Sequence, residues 1–437
     1  MTFATFISYT GADEAAATRC FDALTKVGIS AYFAPADVRT GPFLPQLDAA
    51  LRDTRSLTLI VSPRVSHQSF VWTEVRQALK QGTPIIPIVI SRERPQMWLA
   101  QVIRRLNQVR ALDGLADSHL AELVAKVRDV SRAGRVIAVL NMKGGVGKTM
   151  LSAHAFPAKH LRDRTSTLLV DLDPQHNLTQ FFVSRSRREE FYGDGKGVTK
   201  MFSTAPPVAE RTLAIDGAIA NLLDLTAPAA GQRIDLTVGT DEIITYCLDL
   251  VDQHERTQAK TNFIANINEA RGRYASIIVD LNPSASFLTL CALDVADHIV
   301  VPVRPEKYAM TGLNLLKRLL ERLGKAPRPA LFSTVLNGVG DRTVRARDER
   351  IDEHVRTEIL RSDTFASTLI PTHIPHSAVL RATDLRGASA TPLSVIAERA
   401  PRVARSFRDS LYTVAASIYR RAGVYDATED PGSDFDT

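Results

Sequence analysis

Val136-Ile-Ala-Val-Leu-Asn-Met-Lys-Gly-Gly-Val-Gly-Lys-Thr149 is the stretch on which the fold of this chain turns. Val136 to Leu140 is an apolar run of the kind that forms a strand buried on both faces. A glycine-rich turn follows, and a helical pattern begins at Met150. Strand, glycine turn and helix in that order make a phosphate-binding loop. The backbone N–H groups of Gly144, Gly145, Val146, Gly147, Lys148 and Thr149 line its inside, and the helix N-terminus adds partial positive charge. Glycine is needed because a Cβ would hold the backbone away from the phosphate oxygens. In such a loop Lys148 reaches the β- and γ-phosphates, the Thr149 hydroxyl holds Mg²⁺, and Met150 opens the helix beside the nucleotide.

Two further strand ends carry acids. Leu168-Leu-Val-Asp-Leu-Asp-Pro-Gln-His-Asn177 supplies Asp171 and Asp173, and Ile277-Ile-Val-Asp-Leu-Asn-Pro-Ser284 supplies Asp280. An aspartate at a strand end also caps helices and forms turns. The usual phosphate loop has glycine where Met142 stands, and Lys143 follows it. In this respect the segment resembles the deviant Walker A loop of the ParA/MinD ATPases. The resemblance implies an ATP- and Mg²⁺-dependent ATPase that forms a homodimer around its nucleotides, with Lys143 reaching the partner's phosphates. It implies that Asp173 orients the attacking water, that Asp171 lies near the metal and that Asp280, on a Walker B strand, holds the Mg²⁺ shell. Asn337, at the end of Phe332-Ser-Thr-Val-Leu-Asn337, is where the family places a residue by adenine, although asparagine before glycine suits a turn as well. Val300-Val-Pro-Val-Arg-Pro-Glu306 with Gly312 resembles the strand and helix that follow Walker B.

Ahead of the loop, strand and helix patterns alternate. Phe3 to Ser8, Ile29 to Phe33, Leu57 to Val61 and Ile85 to Ile90 read as strands. Asp13 caps a helix with Ala17, Phe21, Leu24 and Val27 on its apolar positions, and Leu44 to Leu51 reads as another helix. Such alternation gives a parallel sheet with helices on both faces and a site at the carboxyl ends of the strands. The ordered words Phe6-Ile-Ser-Tyr9, Tyr32-Phe-Ala-Pro-Ala-Asp-Val-Arg-Thr-Gly41, Ser62-Pro63, Ser69-Phe-Val-Trp-Thr-Glu-Val75 and Pro84-Ile-Ile-Pro-Ile88 resemble a TIR domain, the second of them its BB loop. Many TIR domains cleave NAD⁺ at the nicotinamide–ribose bond, and others are adaptors that only self-associate. Glu74 matches the catalytic glutamate, and Ser8, Tyr9, Phe33 and Trp72 would line the NAD⁺ site. Glutamate in the first turn of a helix is also favoured by the helix dipole alone. Many family members separate tryptophan and glutamate by four residues; here Trp72 and Glu74 are two apart.

Composition sets the outer limits. The 437 residues are 45% hydrophobic and 23% charged, which suits two globular α/β domains. Three dispersed cysteines exclude a disulfide framework and point to a reducing cytoplasm. No basic leader precedes the first strand, and no apolar run is long enough to span a membrane. The net charge of +6 is compatible with a polyanionic partner. Residues 424–437 carry five acidic side chains and no basic one, the composition of a disordered tail. The helix from Val403 to Ile418 has Phe407, Leu411, Val414 and Ile418 on one face and packs on the core; Arg402, Arg405, Arg408, Arg420 and Arg421 lie on or near the other. ParA relatives bind DNA non-specifically through such scattered charge. Ser184 to Glu190 reads as a polar surface insertion, and His373 and His376, in a proline-broken segment without a cysteine or carboxylate, do not make a metal site.

The expected architecture is α/β: a flavodoxin-like TIR sheet over residues 1–130, a linker at 131–135, a P-loop parallel sheet over 136–423 and the tail. The expected protein is a nucleoid-associated or cytoplasmic ATPase coupled to NAD⁺ cleavage, dimeric with ATP, with higher oligomers through the TIR halves. Non-specific DNA and a partner protein that the sequence does not identify complete the expectation. The rival is a DNA-partition ATPase with an adaptor TIR domain; a third form makes a cyclised ADP-ribose.

Overall fold

The computed structural model describes residues 3–33, 51, 54–81, 83–104, 106–132, 134–163, 165–193, 197–203, 212–215, 233–247, 252–325, 327, 331–339, 346–375 and 401–424. Between Ala133 and Gly134 the chain divides into two compact units.

In the first unit β1 (Thr5–Ser8), β2 (Ala31–Tyr32), β3 (Leu57–Val61), β4 (Ile85–Val89) and β5 (Val109–Arg110) form a parallel sheet of order β2-β1-β3-β4-β5. Helices α1 (Glu14–Thr25), α2 (Phe70–Gln81), α3 (Met97–Ile103) and α4 (Asp117–Arg132) cover it. Both faces are packed, which is why β3 and β4 read as unbroken apolar runs rather than alternating ones. Ala17, Cys20 and Leu24 of α1 with Leu123 and Val127 of α4 bury against Ile7, Ile60 and Ile88. Val71 and Val75 of α2 with Leu99 of α3 bury against Phe6, Leu57 and Leu59. The second strand is shorter than the expected Ile29–Phe33, and Val27 lies beyond the end of α1, exposed. The expected BB loop lies outside the described residues, as does the helix from Leu44 except for Leu51.

The second unit is built on β6 (Arg135–Val139), β7 (Thr167–Asp171), β8 (Leu213–Ala214), β9 (Ile234–Thr237), β10 (Ser276–Asp280), β11 (His298–Val303), β12 (Phe332–Val339) and β13 (Ile374–Pro375). Their order is β13-β12-β11-β6-β10-β7-β9-β8. All pairs are parallel except β8 with β9, so the sheet is mixed at one edge where a wholly parallel one was expected. Among the helices, α5 (Lys148–Asp163) follows the phosphate loop, and α6 (Asn177–Phe182) and α7 (Arg185–Gly193) follow β7. The polar segment expected as an insertion is α7. Helices α8 (Gln253–Ala270), α9 (Phe287–Val295), α10 (Ala309–Arg322), α11 (Ala346–Arg361) and α12 (Pro401–Ala422) complete the two outer layers. Phe263 of α8, Cys291 of α9 and Leu316 of α10 sit in the core on one face of the sheet. On the other, α12 buries Phe407, Leu411, Val414 and Ile418 with Leu151 and Phe156 of α5. The C-terminal helix therefore packs on the core, as its pattern indicates. No helix among the described residues is long and apolar enough to cross a membrane.

Backbones approach closely where β6 begins. A Cβ at Gly134 would lie 1.8 Å from the Tyr274 carbonyl oxygen, a contact that only a backbone shift relieves. Gly134→Ala is therefore expected to destabilise this unit by about 1–3 kcal/mol, read as a lowered midpoint in thermal unfolding. An unchanged midpoint would show that the β6 entry is looser than described.

Candidate functional site

The loop between β6 and α5 takes its shape from a few contacts. Gly145 and Gly147 have φ of +72° and +90°, a region that side chains other than glycine rarely enter. At Gly147 a Cβ would also lie 1.9 Å from Asn337 Nδ2. That nitrogen donates to the Val146 carbonyl at 2.7 Å, so Asn337 braces the loop from the end of β12. On the open side a Cβ at Gly144 or Gly145 would meet nothing within 4 Å, which leaves room for a phosphate against the backbone.

Below the loop, Thr149 Oγ1 and Ser152 Oγ each donate at 2.8 Å, to Asp280 Oδ2 and Oδ1 respectively. Asp280 is fully buried, and burial pushes its carboxyl up to about 6 although both hydroxyls pull it down. Lys148 is 7% exposed and donates to the Lys143 carbonyl at 3.3 Å. Burial lowers its pKa, while the charges of Asp280 and Asp173 act to raise it. Lys143 points elsewhere: its Nζ pairs with Glu306 Oε1 at 2.8 Å. A cavity of about 590 Å³ opens over the loop, and Lys148, Thr149, Met150, Asp173, Arg304 and Asn337 are in its wall.

The two acids after β7 part company. Asp173 lines the cavity and accepts from the Gln175 N–H at 2.9 Å. Asp171 Oδ2 accepts from the Thr179 N–H at 2.8 Å and Thr179 Oγ1 at 2.7 Å, and Oδ1 from the Asp173 N–H at 3.3 Å. Its carboxyl is fully buried and pushed up to about 8, by burial first and then by the charge of Asp280. It is tied to α6 and is not in the cavity wall. Thr149 and Asp280 are the hard oxygen donors at the loop. They suit Mg²⁺, which takes one or two protein oxygens and completes its octahedron with phosphate oxygens and water. Among the described residues no group of three His, Cys, Asp or Glu could hold a metal unaided.

In the first unit Ser8, the last residue of β1, donates from Oγ to Glu74 Oε2 at 2.5 Å. The two are 66 residues apart and meet where the strand order reverses between β1 and β3. Glu74 is 3% exposed, in the second turn of α2 rather than the first. Trp72 is not beside it. Two positions along a helix is a rotation of about 200°, and the indole packs on His67 and Trp98 with ring centroids 4.5 and 4.6 Å away. Tyr9 is fully buried and stacks on Phe33 at 5.4 Å in the core on the α1 and α4 face of the sheet, whereas α2, which carries Glu74, packs on the other face. A neighbouring cluster escaped notice in the sequence. Asp13 stands at the N-cap position of α1 but makes no cap; it accepts from Thr10 Oγ1 at 2.7 Å, Ser62 Oγ at 2.6 Å and Arg64 Nη1 at 3.2 Å. The adjacent Ser62-Pro63 word was the available signal.

Comparison with protein families matches residues 134–332 to a family described as an AAA domain and residues 5–124 to a TIR domain. The chromosome-partitioning ATPase Soj of Thermus thermophilus is 30% identical over 242 residues, 55% of this chain and 82% of that protein. The chromosome partitioning protein ParA of Myxococcus xanthus is 29% identical over 204 residues, 47% of this chain and 64% of the relative. The sporulation initiation inhibitor protein Soj of Bacillus subtilis is 29% identical over 188 residues, 42% and 63% respectively. The chain thus spans a little under two thirds of the length of these last two relatives. With the loop geometry described above, the matches place this chain in the ParA/Soj family of P-loop ATPases. In this chain a TIR domain precedes the ATPase domain.

Asp280→Asn keeps the side-chain shape and removes the charge. Nucleotide affinity in Mg²⁺ should fall about 10- to 100-fold, with little change when Mg²⁺ is chelated. Titration calorimetry under both conditions checks this; an equal loss in each would remove Asp280 from the metal shell.

Proposed function

We propose that the protein is a nucleotide-driven switch. ATP and Mg²⁺ bound at the phosphate loop bring two chains together, and the TIR domains so assembled cleave NAD⁺ at the nicotinamide–ribose bond. The observation that carries the second half is the Ser8–Glu74 contact at the strand-order reversal of a parallel sheet. There one oriented carboxylate suffices. The C–N bond breaks with its electron pair kept by nicotinamide, which departs neutral from a pyridinium. Positive charge develops on the ribose, and the Glu74 carboxylate stabilises it and holds the ribose hydroxyls. Water then adds its hydroxyl to C1′ and releases a proton, giving ADP-ribose; attack by a base nitrogen instead gives a cyclised product. Ser8 fixes the direction in which the carboxylate faces.

In the ATPase half Lys148 neutralises the phosphate chain, Thr149 and Asp280 hold the metal, and Asp173 orients the attacking water. Asp171 serves this site by holding α6 through Thr179 rather than by touching the metal. Lys143 reaches the partner's phosphates by exchanging Glu306 for them. A half-exposed ion pair of this kind contributes about 0–1 kcal/mol, so the exchange is easy once phosphate is offered. Dimerisation raises the effective concentration of the tethered TIR domains. Depletion of NAD⁺ in a cytoplasm would halt growth, which suits antiphage defence or stress signalling.

A second reading has an observation of its own. Glu74 is almost wholly buried, as an adaptor TIR domain would tolerate, and the relatives are named for chromosome partitioning. In that case the ATPase would position itself on the nucleoid through non-specific DNA contacts of exposed arginines such as Arg405 and Arg420. Arg421 is committed elsewhere, donating to the carbonyls of Thr368 and Leu369 at 2.6 and 3.1 Å.

The two readings separate on free nicotinamide, measured with and without ATP and DNA. Lys148→Ala should lower both ATP hydrolysis and NAD⁺ loss, whereas Glu74→Ala should lower NAD⁺ loss alone, by about 100-fold or more. Unchanged NAD⁺ loss in the Glu74 variant would discard the glutamate. Glu306→Gln should release Lys143 and lower the protein concentration needed for the ATP-bound dimer by up to about fivefold, read by sedimentation. No shift would mean that the ion pair does not restrain the lysine.

A further inference from the structure

One titratable group in the wall of the ATPase cavity has no part in the chemistry above. His154 lies on α5 four residues past Met150, on the same face of the helix and one turn farther from the phosphate loop. Its residue exposure is 0%, and its ring meets Phe181 edge-on at 5.4 Å. Nδ1 is 3.0 Å from the Met150 carbonyl oxygen. A carbonyl only accepts, so Nδ1 carries the hydrogen, and Nε2 of the neutral ring presents a lone pair. Burial pushes this histidine down to about 4, which keeps the ring neutral at physiological pH. Nε2 is buried and has no hydrogen-bond partner among the described residues.

The same cavity wall includes the apolar side chains Phe181, Ile374, Pro375, Phe407 and Leu411, and of these Phe181 meets the imidazole. These side chains offer the flat, oily surroundings that suit a purine ring, in the same cavity as the loop that takes the phosphates. The side-chain nitrogen of Asn337 is already spent on the Val146 carbonyl. A buried acceptor left without a donor is costly, and it is relieved when a ligand supplies one.

We infer that His154 is a base-specificity residue, with Nε2 accepting a hydrogen bond from the exocyclic amine of adenine. This rests on the nucleotide reading of the cavity and adds to it the residue that selects the base. Guanine would present its O6 acceptor to the same lone pair, and its carbonyl would be refused. A purine with hydrogen at C6 would fit the cavity yet leave Nε2 unsatisfied.

The test is calorimetry on the full chain with ATP, GTP and purine riboside triphosphate, for the wild type, His154→Leu and His154→Gln. In the wild type, purine riboside triphosphate should bind about tenfold more weakly than ATP, and GTP more weakly still. His154→Leu should close the gap between ATP and purine riboside triphosphate to within about twofold, the residue of an uncompensated contact. His154→Gln, whose Oε1 takes the place of Nε2, should keep most of it. Equal wild-type affinities for ATP and purine riboside triphosphate would overturn the role of His154 while leaving the nucleotide site intact, and this measurement stands even if a variant fails to fold. A gap that survives in His154→Leu would also overturn it, assigning the amine to another acceptor such as Asn337 Oδ1. Absence of binding by all three would sink the nucleotide reading and this inference with it.

Discussion

The ATPase half depends on a single carboxylate held by two hydroxyls. Asp280 closes β10, and Thr149 and Ser152 come from the first turns of α5; their two hydrogen bonds join the central strand to the helix that carries the phosphate loop. Register makes the meeting possible. Asp280 pairs with Val139 on one side and Asp171 on the other, so the glycine loop and both acidic segments leave the sheet at one level. A fully buried carboxylate is unfavourable without such partners. Thr149 and Asp280 are also the groups that a metal would engage, so the contact that stabilises the fold would hold both in place for Mg²⁺.

The TIR half solves the same problem on a smaller scale. Again a hydroxyl holds a buried carboxylate across a strand end and a helix, with the parts exchanged: here the strand end supplies the hydroxyl, Ser8, and the helix the carboxylate, Glu74. The difference lies in charge. Beside Asp280 stand Lys148 and a loop of inward N–H groups, which call for an anion and its metal. Beside Glu74 stands the Ser8 hydroxyl, and no cation or glycine loop of that kind is part of the contact.

How much of this could be read from the chain alone follows from the range of each constraint. The phosphate loop was legible because its glycines, lysine and threonine act through local backbone geometry, and spacing records that directly. The layered α/β fold was legible from apolar runs such as Leu57 to Val61, which only a strand covered on both faces requires. The bonding of Asp171 was not, because a strand end does not say which way its carboxylate turns; Thr179, eight residues on, donates to it. The two-residue gap between Trp72 and Glu74 did contain the answer in helical rotation, which puts the indole on the far side from the carboxylate. Asn337, expected by adenine, also braces the loop through its Nδ2, a contact that spacing does not record. His154 left no trace in the pattern, since a histidine within a helix declares neither its burial nor its tautomer. The antiparallel β8 was missed because two residues are too few to show a period.

The position of Lys143 bears on how such a switch is set. Glu306 of the same chain pairs with the lysine, so its charge is compensated there. Moving it to a partner's phosphate trades one charge-assisted contact for another, and a phosphate offers more charge and more acceptor oxygens than a carboxylate. Because the starting pair is partly exposed and weak, it sets a low threshold. On the proposed reading, assembly would then be governed by two quantities outside the latch, the charge on the bound nucleotide and the concentration of chains. A stronger, buried pair would make the monomer indifferent to nucleotide, and no pair at all would leave the lysine free to engage any polyanion. The half-exposed Lys143–Glu306 contact lies between these limits, where occupancy of the phosphate loop would decide the outcome of the proposed switch.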